Sequence, residues 1–114
     1  LDRLFSKYIR LRDKVCQRCG AYSKGLQCCH FHSRRSKSVR YDPDNACALD
    51  FGCHQYLDSH PLEKVEFFKK RLGEVAFDLL TARANNIGNK PDINAITLYL
   101  KQNIKELEAT KNEV

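Results

Sequence analysis

The sequence contains no Met and no Trp, and no apolar run near the roughly 20 residues that a membrane-spanning helix needs. It has no internal repeat and no low-complexity tract. The opening segment LDRLFSKYIR is too charged for a secretion signal, and a start at Leu1 rather than Met fits a processed or trimmed chain. Acidic residues are almost missing from positions 1–40, which hold two against eleven Lys/Arg; positions 41–114 hold twelve against nine. These absences leave a soluble protein as the expectation. The length, 114 residues, fits one compact domain with a modest core.

The net charge is +6, concentrated in the first third, where it attracts a polyanion such as nucleic acid or simply solvates a face. Six Cys would suit a secreted disulfide scaffold, but Cys16-x2-Cys19 and the Cys53-His54 pair suit a tetrahedral metal better. A reducing, cytoplasmic setting follows, with the thiols ligating metal or buried.

Periodicity predicts a helix over 2–13, with Leu4, Phe5, Tyr8 and Ile9 on one side and Arg3, Lys7, Arg10 and Lys14 on the other. VCQRCG (15–20) reads as a metal knuckle. LQCCHFH (26–32) reads as a short strand and ACAL (46–49) as its return. Between them, SRRSKSVRYDPDN is a long basic loop, of the kind that is often functional in small domains. Helices are expected over 51–58, from Pro61 to Leu72, over 74–85 and, capped by Asp92, over 92–111.

Taken in order, Cys16-x2-Cys19, Cys28-Cys29-His30, Asn45 and Cys53-His54 resemble the HNH endonuclease family, and more closely the phage HNH and NinG/Rap-type recombination nucleases. The likeness runs from LFSKYIRLRD through LQCCHFHSRRSKSVRYDPDNA and GCHQYL to about Leu80, some two-thirds of the chain; the last helix lies outside it. The resemblance implies a ββα-metal (His-Me finger) core at about 15–60 with a zinc knuckle; with one N-terminal helix and about three C-terminal helices over 61–114 read from periodicity, the expected fold class is α+β. The resemblance also implies a single domain over 1–114 that hydrolyses phosphodiester bonds in double-stranded or branched DNA, in a bacterial host cell if phage-encoded.

Residue by residue, the resemblance makes His30 the general base and His54 a ligand of a catalytic Mg²⁺ or similar ion. Asn45 either joins that ion or holds the loop. Taken alone, His30 would be a buried histidine, His54 a helix-surface histidine and Asn45 turn chemistry. The family often has Asp before the base; here it is Cys29, a poor partner for a hard cation and expected to be inert. His32, two residues on, can supplement the ion or contact phosphate. A structural zinc would take Cys16, Cys19 and Cys53, with Asp50 or Cys47 as fourth ligand and Cys28 a further candidate; Asp50 alone reads as a helix N-cap. Arg34, Arg35, Lys37 and Arg40 are candidate phosphate contacts. The rival reading is a zinc-finger nucleic-acid-binding module without catalysis.

Overall fold

Phe5, Tyr8 and Ile9 are spaced to share one face of a helix, and α1 (Asp2–Asp13) buries all three. The structure, a computed structural model, describes the backbone of residues 1–112 and the side chains of residues 1–110. In it the chain is a small α+β protein with five helices and one two-stranded antiparallel sheet among the described residues. Helix α1 ends at Lys14, whose φ of 68° and ψ of −38° centre a γ-turn in which Val15 N–H donates to Asp13 O at 2.7 Å. That turn sends the chain into the knuckle.

Strand β1 (Gln27–His30) pairs with β2 (Ala46–Leu49) in the register Gln27–Leu49, Cys28–Ala48, Cys29–Cys47 and His30–Ala46. Alternate side chains on a strand face opposite ways. Cys28, Ala46 and Ala48 therefore pack on α1 and on Leu100 and Ile104 of α5 (Ile93–Asn112). Cys29, Cys47 and Leu49 pack on Leu57 of α2 (Phe51–Ser59) and Phe68 of α3 (Pro61–Leu72). Phe77 of α4 (Glu74–Asn85) closes this second layer through Phe31, at 5.3 Å between ring centroids. Two strands alone are marginally stable, so the helices on both faces hold the sheet. Each fully buried Phe, Leu or Ile contributes about 1.5–3 kcal/mol to that hold.

The first strand is shorter than the expected 26–32. The chain bends at Phe31 and His32, although Phe31 N–H still donates to Asn45 O at 2.8 Å. The long loop ends in a single 3₁₀ turn, Pro43–Asn45, capped by Asp42, whose carboxylate accepts from Asp44 N–H. No helix among the described residues is long and apolar enough to cross a membrane.

Candidate metal centre and catalytic groove

The knuckle closes on itself before it meets the rest of the chain. Cys16 N–H donates to Ala21 O and Gly20 N–H to Cys16 O, with Gly20 at φ 76°, where a side chain would be strained. Asp50 caps α2: its Oδ1 accepts from Cys53 N–H at 2.7 Å, and its Oδ2 accepts from the Cys19 thiol at 3.0 Å. Sulfurs of Cys16, Cys19 and Cys53 and an Asp50 oxygen lie within 4.8 Å of one another, a set that can hold a metal ion such as zinc.

The hydrogen bond to Asp50 pushes the Cys19 thiol up to about 12, and burial raises Cys53. Burial opposes ionisation of Cys16, but the N–H groups of Cys19, Asp50 and Arg18 bring it below the ordinary thiol value. The Cys53 N–H holds Asp50 below the usual carboxylate range. A proton thus bridges Cys19 and Asp50 where a cation would displace it. Arg18 donates to Cys53 Sγ at 3.4 Å and lies 4.2 Å over the Tyr56 ring, placed to offset thiolate charge.

Of the two candidates for fourth ligand, the structure brings Asp50 to the cluster and leaves Cys47 out. Cys47 stands opposite Cys29 in the sheet, fully buried, and burial raises its thiol. Cys28 points to the α1 side of the sheet and also stays out.

A groove of about 620 Å³ is lined by His30, His54, Asp58, Arg10, Arg34 and Lys64, among others. Successive helix residues point about 100° apart. Cys53 therefore enters the knuckle while His54 enters the groove. His54 Nδ1 is 2.8 Å from Gln27 Oε1, and its Nε2 is 3.3 Å from Asp58 Oδ2. Lys64 Nζ pairs with Asp58 Oδ1 at 2.7 Å. Cys29, His54 and Asp58 place one ligand atom each within 4.8 Å of one another. Cys29, expected to be inert, is therefore part of a donor set. Gln27 and Asp58 were missed in the sequence, although His54-x3-Asp58 is an i,i+4 pair on one helix face and was there to be read. A sulfur and an imidazole nitrogen among three donors do not match the all-oxygen shell that Mg²⁺ prefers.

His30 ends β1 with its ring 5.5 Å from that of Phe5. Its Nε2–H donates to Arg40 O at 3.0 Å, which leaves the Nδ1 lone pair uncommitted. Desolvation lowers its pKa more than the Arg40 carbonyl raises it, so the ring is neutral at physiological pH.

Asn45 is fully buried, and its amide is spent on the loop. Nδ2 donates to His32 O and Val39 O at 3.0 and 3.1 Å, and Oδ1 accepts from His32 N–H at 2.8 Å. Of its two expected roles, holding the loop is the one its contacts serve, and it does not reach the groove's donor set. His32 does not share the strand face of His30. It lies past the bend, its ring against Phe31, with Nε2 buried and unpartnered, and burial lowers its pKa.

The basic loop divides. Arg34, Arg35 and Lys37 are exposed. Arg40, expected to contact phosphate, is spent on Asp2 of α1, with Nε donating to Oδ1 at 3.0 Å. That pair holds the Asp2 carboxyl below its ordinary range. Compared with known proteins, the chain matches no protein-family model, no curated protein and no solved structure.

Proposed function

We propose that the protein is a metal-dependent DNA endonuclease of the HNH type, with the segment from β1 through β2 to α2 as its ββα-metal core. One observation carries this reading: His30, with Nδ1 unspent, opens on the same groove as the His54–Asp58 pair. His30 Nδ1 takes the proton of an attacking water, and the Arg40 carbonyl orients the ring and steadies the charge it gains. An ion held by Cys29, His54 and Asp58 would supply Lewis-acid stabilisation of the phosphate and the leaving 3′-oxygen. Arg10, Arg34 and Lys64 line the groove and attract the phosphodiester. Asn45 fixes the loop that carries Arg40 O, and so fixes the tautomer of the base.

The test is nicking of supercoiled plasmid and cutting of a four-way junction, with and without EDTA. His30→Ala is expected to lose about 10²–10⁴-fold in rate while DNA binding and circular dichroism stay unchanged. Wild-type cutting by this variant would end the mechanism. Binding without cutting by the native protein, under every divalent ion tried, would favour the zinc-finger binding module that the Cys16/Cys19/Asp50/Cys53 cluster also fits.

A further inference from the structure

The set of Cys29, His54 and Asp58, of which His54 and Asp58 line the groove, has a chemistry that neither the knuckle nor a magnesium centre shares. We propose that Cys29, His54 and Asp58 form a second metal site that takes a borderline, thiophilic divalent ion of the zinc and cobalt class and rejects magnesium, with Gln27 setting His54 to ligate through Nε2. The proposal rests on the nuclease reading for what the ion does and on the donors alone for what the ion is.

The geometry of His54 carries it. Gln27 Oε1 is an acceptor, so His54 Nδ1, at 2.8 Å, holds the ring proton. The Nε2 lone pair then faces Asp58 Oδ2 at 3.3 Å. Two lone-pair atoms that close repel unless a proton or a metal cation lies between them. Zinc bonds of roughly 2.0–2.1 Å to N and O put tetrahedral neighbours about 3.3 Å apart, which is the spacing present. A ligating imidazole that donates its other N–H to an oxygen is the usual orienting arrangement around such ions.

Cys29 supplies the selectivity. It is fully buried, and the register of β1 on β2 turns it toward α2. It cannot swing out to leave a site of nitrogen and oxygen alone. Sulfur raises affinity for zinc-class ions and does nothing for magnesium. Lys64 occupies Asp58 Oδ1, so the carboxylate offers one oxygen. Three protein donors beside an open groove match the pattern of a reactive site, whereas the four-donor knuckle matches a closed structural one.

Cobalt(II) titration of the metal-free protein tests this, read by absorbance. The native chain should bind two ions, and both should bring thiolate-to-cobalt charge transfer. A large excess of Mg²⁺ should displace neither. Cys29→Asp should keep two ions, but the second should lose its charge-transfer band and yield to Mg²⁺. Gln27→Leu should weaken only the second ion, by about 10–100-fold.

Saturation at one cobalt would overturn the proposal, leaving His54–Asp58 as an ion pair. So would a second ion in the native chain that lacks charge transfer or exchanges with Mg²⁺. If Cys29→Asp fails to fold, the native stoichiometry and the Mg²⁺ competition decide by themselves. Plasmid cutting is read separately. Two cobalt ions on a protein that leaves DNA intact would keep the site and end the nuclease reading. One cobalt on a protein that cuts with Mg²⁺ would do the reverse.

Discussion

Asn45 shows most sharply what one side chain does here. It is the buried polar residue of the core, and its three hydrogen bonds tie the end of the loop to His32, just past β1, and to Val39 within the loop. Asn45→Asp would set a carboxylate oxygen against the carbonyls of His32 and Val39, acceptor against acceptor. The expected loss is about 2–3 kcal/mol at pH 7, read as a lower urea midpoint. Part of it should return at low pH, because a protonated carboxyl can donate again to one carbonyl. An unchanged midpoint would show that the loop does not depend on this clamp. The sequence marks Asn45 as a turn residue through Asp-Pro-Asp-Asn, but which carbonyls it grips depends on how the loop closes. Asp58 was harder to see, because an exposed acid on a helix is ordinary until the histidine one turn earlier is known to face a groove.

Helix α2 contributes to two donor clusters at once. Asp50 caps it, Cys53 turns to the knuckle and His54 to the groove. The cap alone contributes about 1 kcal/mol. A zinc bound at the knuckle would tie residues 16–19 to the start of α2. Metal analysis of protein prepared without chelator should give knuckle zinc at one per chain, lost in Cys16→Ser. The same variant should melt roughly 10 °C lower or more, since structural zinc supplies much of a small domain's folding free energy. Asp50→Asn keeps a capping oxygen and should weaken zinc, whereas Cys47→Ala should leave zinc content alone. Zinc retained in Asp50→Asn but lost in Cys47→Ala would reverse the ligand assignment. Element boundaries were largely legible, because the apolar residues repeat at helical spacing over 2–13, 61–72 and 74–85. β1 was not, because four residues alternate too briefly to show where the strand stops.

Across the whole molecule the basic first third is only partly available to a polyanion. Arg12 is used inside, donating to Asp13 and to the carbonyls of Pro43 and Ala46. Lys7 pairs with Glu108 of α5, and Arg40 with Asp2. Asp13 also accepts from Arg71 and from Ala48 N–H, so one carboxylate joins α1, α3 and β2. DNA binding measured by anisotropy across salt should separate the two kinds of cation. Neutralising Arg35 or Lys37 should flatten the slope of log K against log salt by about 0.9 for each phosphate that the side chain had neutralised. Arg40→Ala should lower stability and leave the slope alone, because its charge is already matched by Asp2. Equal flattening by Arg40→Ala and Arg35→Ala would mean that the Asp2 pair yields to phosphate.

The sequence by itself determined the helices, the return strand and the knuckle cysteines, because periodicity and short spacing act within a few residues. Only the tertiary structure decided which distant groups meet. The one-residue difference between Cys28 and Cys29 puts one thiol against α1 and the other beside His54, and strand register alone makes that choice. Asp50 rather than Cys47 joins the knuckle because β2 turns Cys47 inward just before α2 begins. Arg40 meets Asp2 across thirty-eight positions, and nothing local to either residue announces it. Charge and ligand chemistry are written in residue types, but their pairing is set by the docking of α1, the sheet and α2.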